Sequence, residues 1–169
     1  MTRLESGAVV VNRDWHPLEE IVGAALRRLG PQLGDRRVII DLPADLPPVS
    51  VYDVLIEQLF LNLFENAAKY TPPGSLVQLR ARPDRAGLLI ELSDSGPGFA
   101  PGDEKLVWEK FYPGSATGAR GVGLGLAICR SIVVAHGGTV EATNQPTNGA
   151  LIRIWLPLGG QPPQVPPGA

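Results

Sequence analysis

Hydrophobic positions along the chain alternate between helical and extended periods. A β-branched run, Val9-Val10-Val11, predicts a short first strand. Leu18, Ile21, Val22, Ala25, Leu26 and Leu29 then recur at the spacing of one helix face, and Gly30-Pro31 supplies a stop. Val38-Ile39-Ile40 reads as a strand ahead of a proline-bearing turn over 43–48. The strongest helical pattern covers 52–70. Leu55, Leu59 and Leu63 mark one face, Ile56, Phe60 and Ala67 flank it, and Thr71-Pro72-Pro73-Gly74 ends it.

Two strands are predicted over 76–82 and 88–94, joined by a hairpin-like connection at 83–87. A short helix is expected near 104–109, a longer one over 124–136 ending at Gly137-Gly138, and a closing strand pair over 139–143 and 150–156. The strands arrive in pairs and not in strict β-α-β alternation. That order favours an α/β two-layer sandwich, with helices over one face of a mixed or antiparallel sheet. One domain over 9–157 is expected, preceded by a junction at 1–8. The Pro/Gly-rich segment 158–169 cannot sustain a ladder or a helix and reads as a disordered tail.

Composition narrows the function classes. Of 169 residues, 44% are hydrophobic and 19% charged, the balance of a globular chain. Net charge is −2 with no basic run, which argues against nucleic acid as a partner. Cys129 is the single cysteine, which rules out an intrachain disulfide and reads best as a small apolar core residue. No apolar run approaches the length of a membrane span, and the N-terminus lacks a signal-peptide layout, so a cytoplasmic chain is expected.

Three segments carry candidate chemistry. Asn62, Asn66, Lys69 and Tyr70 fall on one side of the 52–70 helix, a polar face following an apolar one, which should look into a cleft at the edge of the core. A carboxamide oxygen suits Mg²⁺, which keeps waters and takes much of its charge balance from substrate phosphates. Asp94-Ser95-Gly96-Pro97-Gly98 follows a strand. Its glycines permit close backbone approach, and Asp94, an acceptor only, can receive the exocyclic amine of adenine. Gly121-Val122-Gly123-Leu124-Gly125-Leu126 opens a helix, whose N-terminal N–H groups suit phosphate. That spacing is neither a dinucleotide fingerprint nor a P-loop, since no lysine follows a glycine. Each segment alone also fits a plain alternative: a solvated helix face, an ordinary turn, a flexible hinge.

In this order the segments resemble the N, G1 and G2 boxes of the histidine-kinase ATP-binding domain, in the superfamily shared with gyrase-type ATPases and Hsp90. Trp108-Glu109-Lys110-Phe111 resembles the F box, and Asn148-Gly149-Ala150 a weak G3 box. The flanks Arg3-Leu4-Glu5-Ser6-Gly7, 18–26, 124–133 and His136-Gly137-Gly138-Thr139 are similar to those of potassium-responsive sensor kinases, so the likeness spans nearly all of the chain up to Leu156.

The resemblance implies a Bergerat-type ATP-binding fold, with a mixed sheet of about five strands covered on one face by three main helices. It implies ATP and Mg²⁺ as cofactors, with Asn66 as metal ligand and Asn62 beside the triphosphate. Lys69, Tyr70, Phe111 and Tyr112 would flank phosphates and base, Asp94, Gly96 and Gly98 would form the adenine turn, and residues 121–125 would wrap the phosphates, with Leu126 next to them in the nucleotide site. Residues 112–120 would be a lid, with Arg120 supplying the basic charge that many members place where Pro113-Gly114 stands here. Ala150 occupies a position where many members carry threonine.

The implied activity is that of a protein-histidine kinase fragment with no catalytic side chain of its own. It would present Mg-ATP to a histidine on an upstream phosphoacceptor and dimerisation domain and act on a response regulator indirectly. The fragment is expected to be monomeric, and a parent kinase dimeric and membrane-associated. Neither His16 nor His136 lies in a phosphoacceptor context; His136 reads as a helix C-terminal residue favoured by the dipole. Two other readings stand beside this one. A gyrase-like ATPase needs a water-activating carboxylate where Asn62 stands, an amide cannot take that proton, and Glu65 lies about 60° around the helix. A non-catalytic nucleotide-binding or partner-docking module of the same fold would transfer nothing.

Overall fold

In the computed structural model, residues 13–109 and 125–159 are described. Strand β1 (Asp14–His16) leads into helix α1 (Leu18–Leu29) and a 3₁₀ turn (Gly30–Leu33). Strands β2 (Arg37–Asp41) and β3 (Val49–Val51) precede helix α2 (Asp53–Tyr70), then β4 (Leu76–Asp84) and β5 (Gly87–Asp94). Short helix α3 (Asp103–Leu106), helix α4 (Gly125–Ala135), β6 (Thr139–Asn144) and β7 (Ala150–Pro157) complete the order. Five strands form one mixed sheet in the order β2-β4-β5-β7-β6, with β2 parallel to β4 and the other pairs antiparallel. The expected two-layer sandwich with a mixed five-stranded sheet and three main helices is what the chain forms.

Alternation along the central strands explains the layers. Val77, Leu79 and Ala81 of β4, Leu88, Ile90 and Leu92 of β5, and Ile152, Ile154 and Leu156 of β7 are buried under the helices. On the other face Arg153 bridges Glu91 at 3.0 Å and Glu141 at 3.4 Å across three strands. Such exposed pairs contribute about 0–1 kcal/mol, whereas each fully buried Leu or Phe contributes about 2 kcal/mol, so the inner face decides the fold.

Helix α1 starts after Pro17, carries Glu19 and Glu20 in its first turn and Arg27 and Arg28 in its last, and buries Leu18, Ile21, Val22, Ala25 and Leu29. Helix α2 lies between α1 and α4. Its buried set, Ile56, Leu59, Phe60, Leu61, Leu63, Phe64 and Ala67, covers most of its circumference, as expected for a helix packed on several sides.

Three features depart from the sequence expectations. β1 and β3 form a separate two-stranded antiparallel sheet that periodicity did not indicate, because each has only three residues. The connection at 83–87 is tighter than expected: pairing continues to Asp84↔Gly87, leaving a two-residue turn of Arg85 (φ 47°) and Ala86 (φ 58°). Such a turn normally favours Asn-Gly. Here Trp155 supports it, donating Nε1–H to the Asp84 carbonyl at 2.8 Å beneath the Arg85 guanidinium, 5.4 Å from the ring centroid. Finally, order reaches beyond β7: Leu158 donates its N–H to Ala86 and accepts from Ser50 through its carbonyl. Leu158, placed in the tail from the sequence, is thus tied into the fold, and residues 160–169 lie outside the described residues. The strand expected at 9–11 lies outside the described residues. Among those described, no helix is long and apolar enough to cross a membrane.

Candidate functional site

The polar stripe of α2 is graded in burial. Asn62 is buried, Asn66 and Tyr70 are half-buried, and Lys69 is exposed. Packing on several sides of α2 explains why its first asparagine, Asn62, sits so deep, where the sequence suggested an open polar face. Asn62 Oδ1 accepts from Gln58 Nε2 at 2.7 Å, one turn earlier, but its Nδ2 is buried with no hydrogen-bond partner among the described residues. An unpaired buried amide costs roughly 1–3 kcal/mol, so its retention needs an explanation outside the fold itself. Burial also raises the pKa of the Tyr70 phenol.

Against the C-terminal end of α2 stands the turn that follows β5. Asp94 Oδ1 accepts from the Gly96 N–H at 2.9 Å and from the Ala150 N–H at 3.3 Å. Burial pushes the Asp94 carboxyl above its usual range, and the two N–H donors pull it back. Among the described residues no donor reaches Oδ2. Gly96 presses on the end of α2: a Cβ there would lie 2.8 Å from Thr71 Cγ2 and 3.2 Å from the Tyr70 carbonyl oxygen. The turn after β5 therefore packs against the C-terminal end of α2, where the stripe ends at Tyr70.

A second turn straps the first. Gly149 has φ +100°, and a Cβ on it would fall 1.8 Å from the Asp94 carbonyl oxygen, so only glycine fits. Gln145 Nε2 donates to that same carbonyl at 2.8 Å, and Asn148 Nδ2 to the Ser95 carbonyl at 3.4 Å. Asn144 brackets Phe99, accepting its N–H at 2.7 Å and donating to its carbonyl at 2.9 Å. Ala150 thus contributes through its backbone, and a side-chain hydroxyl is not needed for that contact.

Of the residues singled out from the sequence, Asn62, Asn66, Lys69, Tyr70, Asp94, Gly96 and Gly98 line α2 and the turn against its end. Gly125 opens α4 with open space around its Cβ position, whereas Leu126 is buried in the core, so only its backbone can face a ligand. Phe111, Tyr112, Arg120, Gly121, Val122, Gly123 and Leu124 lie outside the described residues. Gln58, Thr71, Asn144 and Gln145 were missed. Gln58 could have been found as the residue one turn before Asn62; the others carry no local signal, because their partners are distant in sequence.

His136 sits at the C-terminal end of α4 as expected, but its ring is buried and not open to solvent: Nδ1–H donates to the Ile132 carbonyl at 2.8 Å, and Nε2 accepts the Tyr52 N–H at 3.1 Å. Burial lowers its pKa, the Ile132 carbonyl opposes that, and nearby Arg13 adds to it. The ring joins the C-terminus of α4 to the start of α2. Cys129 is buried in the core as expected, and burial raises its thiol pKa.

Among the described residues no three His, Cys, Asp or Glu side chains cluster as a metal site. Any cation here would rely on carboxamides, water and ligand oxygens. Asn66, half-buried and with no side-chain hydrogen bond among the described residues, is the residue suited to that role.

Comparisons with known proteins agree with this geometry. Residues 52–160 match the family described as histidine kinase-, DNA gyrase B-, and HSP90-like ATPase. The chain is 41% identical over 158 residues to the sensor protein KdpD of Escherichia coli K12, covering 93% of this chain but only 18% of that protein. Its fold superimposes on a mycobacterial sensor histidine kinase, MprB, with a TM-score of 0.76 at 29% identity, covering 89% of this chain and 99% of that one. It also superimposes on full-length ShkA in complex with AMPPNP, with a TM-score of 0.80 at 24% identity, covering 95% and 34% respectively. The chain spans about a fifth of the length of its KdpD relative. With the family match, the five-stranded mixed sheet and the paired turns around Asp94, the chain belongs to the histidine kinase-, DNA gyrase B- and HSP90-like ATPases, as an ATP-binding catalytic domain of the histidine kinase type.

Proposed function

We propose that this domain holds Mg-ATP and presents its γ-phosphoryl group to a histidine on a separate, upstream phosphoacceptor and dimerisation domain of a parent sensor kinase of the potassium-responsive KdpD kind. The observation that carries this reading is two unfilled polar features, one on α2 and one in the turn packed against its C-terminal end. These are the outer oxygen of Asp94, held by Gly96 and Ala150 at its other oxygen, and the unpaired Asn62 amide two turns before the end of α2.

In this reading Asp94 Oδ2 accepts the exocyclic amine of adenine. A carbonyl in the place of that amine, as in guanine, would be repelled. Asn66 holds Mg²⁺ through its carboxamide oxygen, and Asn62 Nδ2 donates to a phosphate oxygen or a metal-bound water. Mg²⁺ would neutralise charge on the phosphates. Lys69, exposed at the end of the stripe, adds positive charge for the phosphates. Residues 121–125 would wrap them, with Phe111, Tyr112 and Arg120 on the lid side, and Gly125 continues that loop into α4.

Phosphoryl transfer needs positioning and charge stabilisation more than covalent help from the protein. No side chain of this domain has to act as a base, and Asn62, an amide, cannot activate water for hydrolysis. The ShkA–AMPPNP complex has the same fold and supports a nucleotide on it.

Titration of the chain with Mg-AMPPNP tests the site: binding is expected, and Asn66→Ala should weaken it about tenfold or more in the presence of Mg²⁺ and much less in EDTA. A folded chain that binds no adenine nucleotide would sink the reading. Radiolabelled ATP should mark a separately supplied acceptor domain and leave the fragment unlabelled. Label on the fragment would contradict the proposed division of labour.

A further inference from the structure

One cation of this domain makes a contact that the nucleotide reading does not use. Arg36 follows the 3₁₀ turn and sits half-buried ahead of β2. Its Nε–H donates to Thr71 Oγ1 at 2.8 Å, its Nη2 to the Thr71 carbonyl, and its Nη1 to the Leu33 carbonyl at 3.2 Å. Thr71 is the residue at which α2 leaves the helical conformation, with φ −123° and ψ 144°. Its hydroxyl also donates back to the Ala67 carbonyl at 2.6 Å. The end of α2 is thus closed by an arginine from another element, where helix polarity favours a cation.

What Thr71 touches on its other side makes this more than a cap. Its methyl lies against Gly96, so close that a Cβ on Gly96 would come within 2.8 Å of it. The Gly96 N–H is one of the two donors that hold Asp94 Oδ1. The next residues repeat the linkage: Arg37 N–H donates to the Ser75 carbonyl at 2.9 Å, and Ser95 exchanges hydrogen bonds with Leu76 through both its hydroxyl and its N–H. A continuous line of contacts runs from Arg36 through Thr71 and Gly96 to the Asp94 carboxylate.

Resting on the nucleotide reading above, we infer that Arg36 is a positioning residue for the base end of the site: by clamping Thr71 it fixes the wall against which the Gly96 turn aims Asp94. The planar fork matters, since three acceptors on two residues are met by three different N–H groups. A lysine ammonium supplies the charge but not that geometry. Arg36 touches no nucleotide. Its effect should therefore fall on recognition of the base and not on the phosphates.

The test compares Arg36→Gln and Arg36→Lys with the unsubstituted chain, using Mg-AMPPNP, Mg-GMPPNP and Mg-tripolyphosphate as titrants, at a temperature where circular dichroism shows all three chains folded. Arg36→Gln should weaken AMPPNP roughly fivefold, within the range that mutations along a contact network impose on a distant site. It should shrink the preference for AMPPNP over GMPPNP and leave tripolyphosphate within about twofold. Arg36→Lys should recover part of the lost preference. In the nucleotide-free chain, Arg36→Gln should speed hydrogen exchange at the Gly96 amide. Equal weakening of all three ligands, or an unchanged base preference with unchanged Gly96 exchange, would overturn the inference. If the unsubstituted chain binds none of the three, the nucleotide reading fails with it, and the exchange measurement separately decides whether Arg36 holds the Asp94 turn.

Discussion

The turn around Asp94 and the polar stripe of α2 meet at the C-terminal end of that helix but are built in different ways. The turn is held by the protein itself: the Thr71 methyl and the Asp94 backbone fill its two glycine approaches, Asp94 Oδ1 has two donors, its carbonyl has Gln145, and only Oδ2 has no donor among the described residues. The stripe is left incomplete, with a buried amide lacking an acceptor and a neighbouring asparagine with no side-chain hydrogen bond among the described residues. One end of a binding site can be preorganised where it must discriminate a base. The other can be left open where it receives charge, water and a cation together. Satisfied groups stabilise the fold, and unsatisfied ones destabilise it until a ligand arrives.

Substitutions can break this contrast, beginning with the turn. Gly149→Ala places a Cβ on the Asp94 carbonyl oxygen at a positive φ, so it should cost about 3 kcal/mol or more, seen as a drop of roughly 10 °C in the thermal midpoint. A wild-type midpoint would show that the strap is not rigid.

Asp94→Asn separates folding from recognition. The amide oxygen can still accept from Gly96 and Ala150, and the desolvated charge is gone, so the thermal midpoint should hold or rise slightly. Meanwhile adenine nucleotide binding should fall roughly 10- to 100-fold, the worth of a charged hydrogen bond. Titration calorimetry beside a melting curve would detect any other combination.

His136 sharpens the comparison from outside the turn, because it fastens the start of α2 as Arg36 fastens its end. Its folded pKa is lowered, mainly by burial, so the unfolded chain takes up the proton first as pH falls. The contribution is therefore complete above the ordinary value of 6.5 and is lost as pH drops below it toward the folded value. Urea midpoints between pH 8 and 5 should decline across that window. His136→Gln, which can still accept the Tyr52 N–H, should flatten the decline, and an equal slope in both chains would remove His136 as its source.

The smallest effect is expected in the stripe. Asn62→Leu deletes an unpaired buried amide and should stabilise the domain by about 1 kcal/mol in chemical denaturation while weakening Mg-AMPPNP. A loss of stability would mean that the Asn62 amide is satisfied in the free protein.

Much of this site was legible before any tertiary contact was known. Asn62, Asn66, Lys69 and Tyr70 recur at helical spacing, and α2 forms over Asp53–Tyr70, so local periodicity alone put them on one element. Asp94 and Gly96 announced a turn after a strand by residue type. The parts that escaped notice depend on contacts between residues far apart in the chain. β1 and β3 are too short for a period. Gln145 and Asn144 look like any polar turn until β6 and β7 carry them to the Asp94 loop. His136 was read only as a helix C-terminal residue because its helix was visible, while its burial and its bond to the Tyr52 N–H were not.

The sequence by itself determined the elements, the alternation that gives the sheet one buried face, and the residue types a nucleotide site requires, since these depend on local sterics and on periods of 2 and 3.6. Only the tertiary structure decided which polar groups are satisfied. It set Arg36 against Thr71 and Gly149 against Asp94, and it buried Asn62 without an acceptor. Hydrogen-bond satisfaction is a property of packing between distant segments, and no local pattern encodes it.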